Sequence, residues 1–128
     1  AMAANEASDD ELVHIRGLVA AMHDARHAGE EFLHANQAFH QAVAAASGNH
    51  VLGLFVVSLH TISDGAVVGV SYTARRRLAV IDAHERITSA LEARDAPAAE
   101  AAMRQHLEDW RALVAKRHAD ALDRTVTW

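Results

Sequence analysis

Apolar side chains recur along this chain at intervals of three and four residues in five separate runs, the spacing of one face of an α-helix. In the first run Leu12, Ile15, Leu18, Val19 and Met22 follow Ser8-Asp9-Asp10-Glu11, which has the form of a capping box. This predicts a helix over about 8–27, closed near Gly29. A second, over about 30–46, turns Phe32, Phe39 and Val43 inward and stops at Ser47-Gly48-Asn49, a glycine C-terminal signal. The third opens near Asn49 and carries Leu52, Phe55, Val56 and Leu59. From Gly65 to Gly69 β-branched residues and glycine weaken the helical expectation. A fourth runs from about Thr73 to Ala93 with Leu78, Ile81, Ile87 and Leu91. Asp95-Ala96-Pro97 then reads as an N-cap with proline in the first turn, opening a fifth helix to about Asp120. Its apolar positions are Met103, Leu107, Trp110 and Leu113. No run alternates with period two between hairpin turns, so the expected fold is all-α, an antiparallel helical bundle without a sheet.

Three of these apolar stripes contain a histidine. In "NQAFHQAVAAASGN" His40 follows Asn36 by four residues and Phe32 by eight, and precedes Val43 by three. His84 lies between Ile81 and Ile87, and His106 between Met103 and Trp110. A 3.6-residue period therefore turns one imidazole inward from each of three helices, with Asn36 one turn from His40. Buried ring nitrogens left unpaired cost about 1–3 kcal/mol each. A divalent metal shared among them satisfies all three at once; separate backbone carbonyls or waters are the alternative. His23 and His27 also have the four-residue spacing of a metal-binding helix face. His27 falls opposite Ile15 and Met22, however, which reads as a solvated pair. His60 follows Val56 by four and is a candidate pocket residue. His14, His34, His50 and His118 have no distinguishing context and default to the surface.

Composition narrows the picture. The 128 residues suit one domain with one core, and 51% of them are hydrophobic with a single proline, which excludes a disordered linker. Without cysteine there is neither disulfide nor thiolate metal site, in keeping with a reducing, cytoplasmic compartment. The longest apolar stretch, "VLGLFVVSL", is too short for a bilayer span of roughly 20 residues, so no membrane association is expected. A net charge of −5 argues against duplex DNA binding by this piece. Arg75-Arg76-Arg77 reads as a solvated helix start or an anion contact. Ten histidines are the compositional oddity; histidine is the usual nitrogen donor for transition metals and the residue that titrates near neutral pH. The opening "AMAANEASDD" is read as a cloning remnant and flexible lead-in over 1–7. The helical domain then occupies 8–120, with a C-terminal tail at 121–128. Methionine at position 2 behind alanine is not a natural start, so an N-terminally truncated piece of a longer protein is expected.

Two stretches resemble the FCD effector-binding domain of FadR-type regulators in the GntR superfamily. "NQAFHQAVAAASGNHVLG" is similar to the family's D/N-x-x-x-H motif with its alanine-rich helix end. "AHERITSALEARDAPAAEAAMRQHLEDW" is similar to its second, two-histidine signature. The resemblance covers roughly residues 8–115, around a variable stretch at 53–77. It implies metal ligands at Asn36, His40, His84 and His106, the last two separated by 106 − 84 = 22 residues. Most metal-binding members have aspartate where this chain has Asn36. An amide brings no charge, so the metal would be held less firmly and would attract an anionic effector more strongly.

The function so implied is a ligand-sensing domain of a transcriptional regulator, not an enzyme. It would bind a divalent metal (zinc foremost, with nickel, manganese or iron as alternatives) and a small organic acid. His60, Ser63, Tyr72 and Arg75 are the candidate effector contacts. The expected assembly is a homodimer that reaches DNA only through a missing N-terminal winged helix-turn-helix domain. Two alternatives stay open. A metal-dependent enzyme lacks an obvious general base, since Glu85 directly follows His84 and points about 100° away on the helix. A metal-free structural or dimerisation module is the other.

Overall fold

The computed structural model describes residues 1–63 and 72–117, the side chains of 59–63, 116 and 117 excepted. Among the described residues six α-helices follow one another: α1 (Met2–Glu6), α2 (Asp9–Asp24), α3 (Gly29–Ala45), α4 (His50–Ser63), α5 (Ala74–Glu92) and α6 (Ala96–Arg117). A 3₁₀ turn at Ala25–His27 finishes the run that α2 begins. There is no strand among the described residues. The bundle is all-α, as the periodicity predicts. α2 packs between α3 and α5, α5 also lies against α6, and α4 rests on α3. Short connections at 25–28 and 93–95 turn each of these sequential pairs back on itself.

The helix ends are where local chemistry says they should be. The Ser8 hydroxyl accepts the Glu11 N–H and the Glu11 carboxylate accepts the Ser8 N–H at 2.8 Å, closing the capping box of α2. The Ser8 N–H, and after it the Ser8 hydroxyl donating to the same carboxylate, hold the Glu11 carboxyl below its ordinary pKa. Gly48 ends α3 at φ 68°, and the Asn49 side chain then accepts the Leu52 N–H to start α4. Thr73 and Asp95 cap α5 and α6 in the same way.

The first seven residues depart from the expected flexible lead-in. Met2–Glu6 is helical, and Ala3, Ala4 and Ala7 are buried against α5 and α6. Small side chains let this helix approach closely, and burial by alanine leaves no hydrophobic signature in the sequence. Arg94 fastens the junction between α1 and α2. Its guanidinium donates to the Ala7 carbonyl oxygen and, at 2.8 Å, to the Asp9 carboxylate. It does so from a left-handed backbone conformation, φ 55°, where glycine is the usual occupant.

The core is built from Leu12, Ile15, Val19 and Met22 of α2, Phe32 and Phe39 of α3, and Ile81, Ile87 and Leu91 of α5. Four residues expected to face inward do not. Leu52, Phe55, Leu78 and Leu107 are exposed, Phe55 by 64%. Among the described residues α4 has α3 as its main helical neighbour, and much of its apolar face is exposed. The weakened stretch at 65–69, His118, the last residues of the fifth predicted helix and the 121–128 tail lie outside the described residues.

Arg16 of α2 donates through Nε to the Glu92 carboxylate of α5 at 2.9 Å, and this bond is the main reason the Glu92 carboxyl sits below its ordinary pKa. A depressed folded pKa adds stability above the unfolded value of about 4.3, and that stability disappears as pH falls through the folded value. Glu92→Gln is therefore expected to flatten the acid limb of urea-denaturation stability below about pH 4.3 while leaving the fold intact. Arg94→Ala removes the guanidinium contacts and keeps the left-handed strain, whereas Arg94→Gly removes both. The glycine variant should be the more stable of the two by about 1 kcal/mol in urea titrations.

Candidate metal centre

Each of the three inward histidines is placed by its own helix. On α3 the stripe Phe32, Asn36, Phe39 is buried, and His40 sits half-buried beside it. On α5 His84 is fully buried between Ile81 and Ile87. On α6 His106 is 9% exposed, one turn beyond Met103. The three helices bring one nitrogen of each ring within 4.8 Å of the others. The Nε2 atoms of His84 and His106 are 3.2 Å apart, and those of His106 and His40 are 3.3 Å apart.

This geometry is awkward for neutral imidazoles alone. A ring nitrogen carries either one hydrogen or one lone pair, directed in the ring plane. His106 Nε2 has two neighbouring nitrogens at hydrogen-bond distance and can serve one of them well. A cation among the three resolves the conflict, because all three nitrogens can then present lone pairs. The His84–His106 and His106–His40 spacings fit that purpose. Nitrogens bound at about 2.0–2.1 Å around a tetrahedral centre are themselves about 3.3 Å apart. Among the described residues His40, His84 and His106 are the one group of three or more histidines and carboxylates so arranged.

The surroundings hold the rings in place. Phe39 stacks on His84 with centroids 3.9 Å apart and planes 11° from parallel. The rings of His40 and His106 lie nearly parallel at 5.2 Å, and His84 stands edge-on to both. On the far side of His84, Nδ1 faces the Met22 sulfur at 3.2 Å. The Thr88 hydroxyl donates to the His84 backbone carbonyl at 2.9 Å. Neither Met22 nor Phe39 stands out in the sequence as more than a core residue. Met22 lies 62 positions from His84, and no local pattern links the two.

Asn36, the fourth expected ligand, is 3% exposed and lies one turn before His40 on α3. The expected effector contacts fare differently. His60 and Ser63 belong to α4, but their side chains lie outside the described residues. Tyr72 packs its ring against Phe32 at 5.8 Å. Phe32 is 40 − 32 = 8 residues, about 12 Å, along α3 from His40. Arg75 is exposed in the first turn of α5, 84 − 75 = 9 residues, or about 13 Å, from His84. The structure thus brings the three histidines together and leaves Tyr72 and Arg75 apart from them.

The competing histidines and carboxylates stay outside the centre. His23 Nε2 is 2.9 Å from the Glu85 carboxylate, and both side chains are about half exposed. His27 falls in the 3₁₀ turn, beyond the end of α2, and is exposed. Glu85 is thereby directed to the surface, as its position after His84 predicts.

A family model described as FCD domain matches residues 1–109, a span that includes α1 and all three histidines. No curated protein and no solved structure shows significant similarity to the chain. One equivalent of zinc should bind the purified protein in competition with a chromophoric chelator. It should also raise the melting temperature, since a ligand specific for the folded state stabilises it by about 2.7 kcal/mol at a hundredfold excess over Kd. His84→Ala and His106→Ala should each abolish both effects.

Proposed function

The chain belongs to the FCD family, the effector-binding C-terminal domains of GntR-family regulators, and on that premise we propose that it senses a small organic acid through a divalent metal held by His40, His84 and His106. The observation that carries this reading is the approach of three Nε2 atoms from three helices to one largely buried point. Asn36 is the fourth candidate ligand, through its amide oxygen. Zinc suits the donor set best, and nickel, manganese and iron are compatible with it. Bound there, the metal would supply a Lewis-acidic docking point for carboxylate or hydroxyl oxygens.

The chain's own residues determine what kind of ligand such a centre prefers. Three imidazoles and an amide are all neutral, and among the described residues no carboxylate joins the cluster. These four ligands bring no negative charge to a divalent ion, which favours an anion in the open position. Burial of His84 and His106 strengthens that attraction by excluding water. His60 and Ser63 from α4 remain the proposed contacts for the rest of a small effector, whereas Tyr72 and Arg75, about 12–13 Å along α3 and α5 from the metal ligands, would meet only a longer one.

The centre ties α3, α5 and α6 together, so an effector that binds one arrangement of these helices better than another shifts the population toward it. In a homodimer carrying winged helix-turn-helix domains, that shift would alter the spacing of the DNA-binding heads. An enzymatic reading gains no support from Glu85, the carboxylate nearest His84 in sequence, because it is engaged by His23 at the surface.

Calorimetry of zinc-loaded protein against mono-, di- and tricarboxylates and hydroxy acids tests the proposal. At least one should bind with 1:1 stoichiometry, and only to the metal-loaded form; binding by none, with metal shown to be present, overturns it. Asn36→Asp should tighten zinc binding and weaken the carboxylate, each by about tenfold, equivalent to ~1.4 kcal/mol.

A further inference from the structure

Met22 is fully buried on α2, and its sulfur lies 3.2 Å from Nδ1 of His84. A thioether has lone pairs and no hydrogen, so this contact is attractive only when Nδ1 carries the proton. In a neutral imidazole protonated at Nδ1, Nε2 is the bare nitrogen. That Nε2 is the atom 3.2 Å from His106, on the opposite side of the ring. Phe39, stacked on the face of the ring, limits its tilt. Sulfur at the edge and phenyl at the face thus fix two different degrees of freedom of the same imidazole.

We propose that Met22 is a positioning residue of the histidine cluster: its sulfur accepts the Nδ1–H of His84 and so holds that ring in the tautomer that presents a bare Nε2 to His40 and His106. The consequence for metal affinity rests on the metal-sensing reading above; the tautomer itself does not. Metal-bound histidines commonly give their second N–H to a carboxylate or a carbonyl, which makes the ring a stronger donor. Sulfur is a weaker, uncharged acceptor. The nearest carboxylate in sequence, Glu85, faces His23 instead. Met22 therefore orients His84 without adding negative charge, the same economy of charge that Asn36 brings on α3.

The test is long-range ¹H–¹⁵N correlation of the imidazoles in metal-free protein at neutral pH, together with zinc affinity by chelator competition. In the unsubstituted protein His84 is expected to show a protonated Nδ1 and a bare Nε2. Met22→Leu conserves core volume and should fold. It is expected to move His84 toward the Nε2–H tautomer and to weaken zinc binding about tenfold. Met22→Gln, whose amide oxygen can accept the same N–H, should restore both. An Nε2–H tautomer in the unsubstituted protein overturns the proposal. So does a Met22→Leu variant with unchanged tautomer, whether or not its zinc affinity falls, because sulfur would then act through packing alone. If the unsubstituted protein binds no zinc but the leucine variant changes the tautomer, the metal-sensing reading fails and the role of Met22 stands. The wild-type spectrum and the leucine variant decide the matter even if the glutamine variant does not fold.

Discussion

Two imidazole nitrogens lie within 3.3 Å of a third that has one hydrogen or one lone pair to offer. The rest of the site can be understood from that mismatch. Moving one helix outward would relieve it, but α5 and α6 are joined by a three-residue corner and α2 fills the other side of α5. The helices are held by their own apolar stripes, so the rings are presented as a fixed set. Preorganisation of this kind is what a metal centre requires of its scaffold, and hydrocarbon packing supplies it.

Support for the rings comes at several depths. Phe39 and Met22 meet the His84 ring directly, while Thr88, one turn further along α5, donates to the backbone carbonyl of His84. Farther out, Arg16 joins α2 to Glu92 at the end of α5, and Arg94 joins the α5–α6 corner to the start of α2. Exposed ion pairs of this type contribute little stability singly. Their placement is more informative than their strength: both bind α5 to the N-terminal part of the chain, which is the relation that keeps Met22 opposite His84.

Much of this was legible in the sequence, for reasons that can be stated residue by residue. Ser8, Asn49, Thr73 and Asp95 cap helices through contacts three residues away, so helix starts are local facts. The inward phase of Asn36, His84 and His106 follows from neighbours within two turns. What escaped depends on distant parts of the chain. Ala3 and Ala4 are buried because α5 and α6 happen to accept a small helix there, and alanine looks the same in a lead-in. Periodicity identified the residues that share a face of α4, yet could not say whether anything covers it. The Met22–His84 contact crosses 62 positions, and only the packed bundle reveals it.

The exposed apolar face of α4 has a thermodynamic corollary. A helix that among the described residues is fastened mainly to α3 can detach without dismantling the α2–α3–α5–α6 body, so its backbone amides should exchange with solvent through a local opening of lower free energy than global unfolding. The surface it would leave bare belongs to α3, the helix that carries Asn36 and His40. Loosening at the edge of the bundle is thus mechanically adjacent to its centre, and the two can fluctuate together without any rearrangement of the core between α2 and α5.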